Sequence, residues 1–171
     1  MSDAVARNFS KHAHHYDRFA DAQRLIGDAL MAMIIDADAP QSILDLGCGT
    51  GFMTQQLTQQ FPQATCLALD IAHPMAQRAQ THALAMQADA QHLPLADASV
   101  DMICSNLLLQ WLPNTHIVLE ECRRVLKPQG VLYFSTLGTD TLHEAKQALA
   151  SISRDHHINH HHDIHQLGDQ L

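Results

Sequence analysis

The stretch Ile43 to Phe52, ILDLGCGTGF, constrains this chain more than any other: a short apolar run, an acid, and three glycines, Gly47, Gly49 and Gly51, ahead of a helical pattern. Glycines here let the backbone turn tightly and approach a ligand, and a helix start offers unpaired N–H groups. The surrounding pattern is repetitive. β-rich runs at Ser42–Leu46, Ala64–Leu69, Leu84–Ala88, Val100–Ser105 and Gly130–Thr136 alternate with helical segments at Phe52–Phe61, Pro74–Thr81 and His116–Lys127, the last stopped by Pro128. Such alternation predicts parallel strands joined by right-handed crossovers, an α/β, Rossmann-like, mostly parallel sheet with helices on both faces. Ahead of it, Ala22–Ile35 carries Leu25, Ile26, Ala29, Leu30 and Met33 at helical spacing and predicts a packing helix over one sheet face. On a helix through the first twenty residues, Arg7, Lys11, His14 and Arg18 fall on one side and Phe9, Ala13, Tyr16 and Ala20 on the other.

Charge narrows the ligand of the glycine turn. No Lys or Arg lies between Arg24 and Arg78, and Asp45 stands at the mouth of the turn, so a phosphate would find no counter-charge. Phe52 occupies the third glycine position of the dinucleotide fingerprint, and the ending of a P-loop is absent. S-adenosylmethionine, with an ammonium and a sulfonium, is the ligand that an acid-bearing turn attracts. Asp70, closing CLALDIA, stands at about the ~20-residue distance at which such folds place an acid for ribose hydroxyls. Asp89, in MQADAQHLPL, is a candidate acceptor for the adenine amino group beside a backbone donor at Ala90, and also a favoured turn residue. Ile71 and Met75 serve either as apolar walls or as ordinary packing. Past the fourth strand, SNLLLQWLPN leaves the sheet at its carboxyl edge, which makes Asn106, Gln110 and Trp111 candidates to line the transfer site, Trp111 being equally a core anchor.

The bulk properties exclude other classes. With 171 residues, 46% hydrophobic and 16% charged, the chain fits one domain, and a net charge of -8 gives duplex nucleic acid no electrostatic footprint. No run approaches the ~20 apolar residues of a membrane helix, and MSDAVARNF lacks the layout of a secretion signal, so a cytoplasmic protein is expected. Cys48, Cys66, Cys104 and Cys122 are widely spaced and read as reduced structural thiols. The run DHHINHHHDIH in the tail has consecutive histidines that cannot all converge on one ion, so no metal site is expected.

LDLGCGTG, Asp70, ADAQHLPLADASVD and RRVLKPQGVLYFSTLG together resemble the class I S-adenosylmethionine-dependent methyltransferases over Ile43 to Gly138. FSKHAHHYD, SNLLLQWLPN, FSTLGTDTLHE and DIHQLGDQL resemble, more narrowly, the branch of that family that methylates malonyl carried on acyl-carrier protein, a step of biotin synthesis. The resemblance implies esterification of the free malonyl carboxylate, with Tyr16 closing over the cofactor. It divides the chain into N-terminal lid and packing helices (1–35), a cofactor-binding core (42–138) and a helical, His-rich tail (139–171) whose Asn159, Asp163, His165, Gly168 and Asp169 match the family pattern. The family closes its sheet with a sixth and a seventh strand, and those C-terminal strands are expected to be missing here. The core motifs leave two alternatives standing: a small-molecule or quinone-precursor methyltransferase, and a cofactor-binding module without activity.

Overall fold

A computed structural model of the chain describes residues 3–34, 39–112, 114–138 and 141. The tail 139–171, with its histidine run and the expectation of helix there, lies outside the described residues apart from Thr141.

Five parallel strands form one sheet: β1 Ser42–Leu46, β2 Thr65–Asp70, β3 Leu84–Gln87, β4 Val100–Asn106 and β5 Leu126–Ser135, in the order β3-β2-β1-β4-β5. The helices are α1 Asp3–His12, α2 Asp21–Ile34, α3 Phe52–Gln60, α4 His73–Ala79 and α5 Thr115–Val125. Strands β1 to β3 are laid down in one direction, and the chain then crosses to β4 on the other side of β1. The strand order therefore reverses between β1 and β4, and a ligand crevice opens at the carboxyl ends of strands flanking such a reversal.

Alternation along β1 sorts the core into two layers. Ile43 packs with Leu30, Met31 and Ile34 of α2 and Met53 and Leu57 of α3, whereas Leu44 and Leu46 pack with Val118, Leu119, Cys122 and Val125 of α5. An irregularity between Val100 and Met102 changes the phase of β4, so that Val100 joins the α5 layer and Met102 the α2/α3 layer. No helix connects β3 to β4 among the described residues. Arg124 of α5 clamps that loop instead, donating to the carbonyls of Leu93 (3.0 Å) and Leu95 (2.8 Å) and to Asp97 (2.7 Å), while Glu121 accepts the Leu93 N–H at 2.7 Å. At the opposite end of the sheet, Asp101 accepts from the N–H groups of Gln41 and Ser42 and from Lys127, which holds its carboxyl down at about 2.

Three sequence expectations are corrected. The first twenty residues are not one helix: α1 ends at His12, a turn follows, and Tyr16–Arg18 is a single 3-10 turn. Ala13 and Ala20 are nonetheless buried, because the segment folds back on the domain where a straight helix would leave it. On α2 the face turned to the sheet is Gly27, Leu30, Met31 and Ile34, leaving Leu25 and Met33 72% and 73% exposed. The last helix stops at Val125, before Lys127, because a residue preceding proline is pushed out of the α region; Leu126 already pairs with Val100, and β5 carries Pro128 on the sheet edge.

Gly51 lets α3 lie against α4: its φ is +97°, and a Cβ there would stand 2.9 Å from the Ala79 Cα. Gly51→Ala should therefore lower stability by about 2 kcal/mol or more, from left-handed strain plus backbone overlap. A thermal or urea denaturation curve matching that of the unaltered chain would contradict this packing account.

Candidate functional site

The turn after β1 is fixed before any ligand arrives. The N–H groups of Gly47 and Cys48 both donate to the Leu69 carbonyl of β2, at 2.8 and 3.0 Å, which folds the turn over the end of the neighbouring strand. Asp70, the last residue of β2, accepts the Gly49 N–H on Oδ2 at 2.9 Å and the Ala72 N–H on Oδ1 at 2.8 Å. Burial raises its carboxyl above the usual range, and those two N–H groups oppose the rise. A carboxylate oxygen has two acceptor sites, so each oxygen retains capacity for a second donor. Gly49 has φ +54°, and a Cβ built on it meets nothing within 4 Å, so the turn faces open space at this one residue.

That space is a partly open cleft of about 580 Å³ including its mouth and the solvent in it. Gly47, Gly49 and Asp70 form one side; Leu46, Leu69, Ile71, Ala88 and Ala90 give it apolar walls. Asn106, Leu107, Leu108 and Trp111 enter from the end of β4, and Phe9 and Tyr16 cover it from the N-terminal segment. The rings form a connected roof: Phe9 lies 5.1 Å from Trp111, edge to face, and 6.2 Å from Tyr16. Burial raises the Tyr16 phenol above its usual value, with Asp70 and Asp17 adding to the rise. Leu107 has φ +57°, and its N–H donates to both the carbonyl and the hydroxyl of Ser135 at 3.1 Å. The Ser135 hydroxyl donates in turn to Asn106 Oδ1 at 2.6 Å, and Asn106 Nδ2 donates to the Gln23 carbonyl at 2.9 Å. Asn106 thus ties the end of β4 to α2 and to β5.

Of the residues singled out from the sequence, Tyr16, Gly47, Gly49, Asp70, Ile71, Ala90, Asn106 and Trp111 line this cavity. Five others are not among its wall residues. Asp45 is 1% exposed and accepts the Thr54 hydroxyl of α3 at 2.5 Å, so it lies inside the sheet–helix layer and not at the mouth of the turn. Alternation along β1 puts it on the Ile43 face, against α3. Gly51 packs on α4, Met75 is buried with Ala13 and Ala72, and Gln110 is buried in the 3-10 turn Leu109–Trp111. Asp89, between the two wall alanines, accepts the Gln91 N–H at 3.0 Å and shapes their turn. Phe9 is the principal wall residue that sequence reading left among packing residues; its signal was the shared apolar face with Tyr16.

The absence of cations near the turn holds along the sequence and fails in space. Asp17 accepts from the Thr50 hydroxyl at 2.6 Å and from Arg78 at 2.7 Å, with Arg24 3.8 Å away, so both arginines flanking the cation-free stretch gather on the outer side of the turn. None of them lines the cavity itself, but Asp17, Thr50 and Arg24, unlike Arg78, line a smaller cleft that adjoins it at Tyr16, Gly47, Gly49 and Asn106. The four cysteines are free and buried, and burial first, with neighbouring acids, pushes Cys66 and Cys122 up to about 12, the range of inert packing thiols. Among the described residues, no group of three or more His, Cys, Asp or Glu converges as a metal site, and no helix is long and apolar enough to cross a membrane.

Comparison with known proteins gives the family and the fold. The family profile described as "Methyltransferase domain" matches residues 44–134. The malonyl-[acyl-carrier protein] O-methyltransferase of Hahella chejuensis is 38% identical over 91% of this chain and 57% of its own length, and that of Methylococcus capsulatus 41% identical over 91% and 59%. The chain thus spans somewhat under three fifths of the length of these curated relatives. Among solved structures, the complex of the Haloferax volcanii Trm112 methyltransferase activator with its methyltransferase aligns with a TM-score of 0.78 at 21% identity, covering 95% of this chain and 73% of that one, a likeness of fold.

The environment of Asp45 has a measurable consequence. Burial, opposed by the Thr54 hydroxyl and reinforced by Asp70, pushes its carboxyl up to about 7. Between pH 4 and 7 the folded chain then holds a proton that the unfolded chain has released, so this group's contribution to stability falls as pH rises through that window and is constant above it. Asp45→Asn keeps the acceptor for Thr54 without the charge. Its melting temperature relative to the unaltered chain should climb from pH 4 to 7 and then level off; a pH-independent difference would mean an ordinary carboxyl.

Proposed function

The chain belongs to the methyltransferase-domain family, and from that premise we propose that it binds S-adenosylmethionine in the cavity under Phe9, Tyr16 and Trp111 and methylates the free carboxylate of malonyl on acyl-carrier protein. One observation carries the cofactor reading. An acid stands at the end of β2, a glycine turn is bonded to it, and the glycines give onto a cavity with Asp70 and no Lys or Arg among its described wall residues, Arg24 lining instead the adjoining cleft on the Asp17 side of the turn. These residues fit the group. The remaining acceptor sites of Asp70 suit a ribose diol, Leu69, Ile71, Ala88 and Ala90 suit a flat adenine, and Gly47 and Gly49 let an amino-acid end approach the backbone. The bound cofactor supplies a methyl group on a positively charged sulfur.

This chain's residues need only bind, orient and exclude water. A malonyl carboxylate is already an anion at neutral pH, so no side chain has to remove a proton. Held by Asp70, Gly47 and Gly49, the cofactor would supply that methyl group to one carboxylate oxygen, leaving an ester and a neutral thioether. Opposite charges vanish in that step, so a dry site favours it, and the aromatic roof is what keeps water out. Alignment of oxygen, carbon and sulfur then supplies much of the rate. Asn106 acts by holding the strand end rigid between Gln23 and Ser135. The acceptor reading draws on relatives at 38% and 41% identity that carry that activity in their names. Four buried free thiols accord with work in the reducing cytoplasm.

Calorimetric titration with S-adenosylhomocysteine, followed by transfer assays on malonyl-acyl-carrier protein and on free small acceptors, tests both halves. Asp70→Ala should weaken binding of that product by about 1.5–3 kcal/mol, the range for hydrogen bonds to a charged group, with the domain still folded. Unchanged affinity would refute the ribose assignment. Arg7 and Lys11, exposed on one face of α1, are candidates to meet an acidic carrier. Arg7→Glu with Lys11→Glu should slow reaction on the carrier roughly tenfold at low salt and leave a short free thioester unaffected; equal slowing of both would dismiss the docking role.

A further inference from the structure

The N-terminal segment that roofs the cavity is held by a small apolar cluster, Ala13 with Ala72 and Met75 and with Phe9 and Tyr16 packed against them, and by polar contacts. Among described residues 4–20 the buried hydrophobic side chains are two alanines, Ala13 and Ala20, while Phe9 and Tyr16 are only partly buried. That cluster is small and its two rings are only partly covered, so polar contacts add to what holds this segment down. Among the described residues of the segment, Asp17 supplies side-chain contacts to the rest of the domain. Asp17 takes the Thr50 hydroxyl on Oδ1 at 2.6 Å and Arg78 on Oδ2 at 2.7 Å, with Arg24 3.8 Å from Oδ1. Its partners come from the glycine turn, from α4 and from α2, and Thr50 stands between Gly49, which Asp70 holds, and Gly51, which packs on α4.

We infer that Asp17 is a positioning residue, the latch through which the N-terminal segment grips the glycine turn and keeps the aromatic roof closed; this rests on the reading of the cavity as the cofactor site. Asp17 does not line the cavity, yet its neighbour Tyr16 does, and Tyr16 and Phe9 continue to Trp111 across the opening. Opening the roof therefore requires breaking the Asp17 contacts, and their strength sets how quickly a ligand enters and leaves. Because the carboxylate is charged and only partly exposed, each bond is stronger than a neutral surface contact. The latch also couples the site to itself. A ligand that orders the glycine turn holds Thr50 where Asp17 meets it, and a closed segment holds the turn for the ligand.

The sequence contains a single tryptophan, so Trp111 fluorescence reports on the roof directly. In the ligand-free 171-residue chain, Asp17→Ala should make Trp111 more accessible to acrylamide and shift its emission to the red, with the far-UV circular dichroism unchanged. In stopped-flow experiments the same variant should release S-adenosylhomocysteine about tenfold faster, the change expected when charge-assisted hydrogen bonds to one carboxylate are lost. Arg78→Met, which acts from α4, should give a smaller effect of the same sign and add nothing in the Asp17→Ala background. Should Asp17→Ala fail to fold, Asp17→Asn, which keeps an acceptor for Thr50 and drops the charge facing Arg78, decides the matter together with Arg78→Met. Quenching and release equal to those of the unaltered chain, or additive effects of the two variants, would overturn the latch. If the unaltered chain binds no S-adenosylhomocysteine, the cofactor reading fails and the quenching comparison alone judges the latch.

Discussion

β1 has hydrogen-bonded neighbours on both edges and packed layers on both faces, and the rest of the site follows from that confinement. A strand paired on two sides cannot slide, because a one-residue slip would turn Asp45 and Ile43 to the wrong layer. Its exit is therefore fixed to within a residue, and the glycine turn must form at the point where the strand order reverses. The Leu69 carbonyl and the Asp70 carboxylate of β2 then catch the turn by three of its backbone N–H groups. Pre-organisation of this sort spares a ligand the entropic cost of ordering the loop.

The two acids of the site show how one residue type serves two ends. Asp70 emerges at the strand end, binds two backbone N–H groups and faces the cavity. Asp45, one strand over, points into the layer beneath α3 and satisfies a threonine. Among the described wall residues the carboxylate is thus that of Asp70, and Asp45 acts through the position of α3. A buried carboxyl of this kind costs stability whenever it is ionised, because burial disfavours the charged form.

The opposite side of the cavity is assembled from parts far apart in the chain. Asp17 and Thr50 are separated by 33 residues and Asp17 and Arg78 by 61, yet they meet at one carboxylate on the outer side of the turn. Phe9 and Trp111 approach edge to face across the opening. The loop that carries Ala88 and Ala90 has no helix to steady it and relies on Arg124 reaching across from α5. Each of these is a single contact network standing in for an element of secondary structure, and each is open to solvent on one side.

What the amino-acid order determined by itself was whatever depends on neighbours a few residues away. Five strands appeared with boundaries that moved by at most one residue, except β5, which began four earlier; the glycine turn, the acid at 70 and the helices between strands were legible from period, turn chemistry and proline. The family motif over residues 44–134 lies in that same local pattern. Tertiary structure alone decided which way the side chains at those positions point. It turned Asp45 and Met75 inward, set Asp89 to shaping a turn, broke the N-terminal helix at His12 and brought Arg24 and Arg78 to a turn that looked free of cations. The reason is that backbone period and turn propensity are properties of a short window, whereas the partner of a carboxylate is chosen by elements that meet only once the sheet has closed between them.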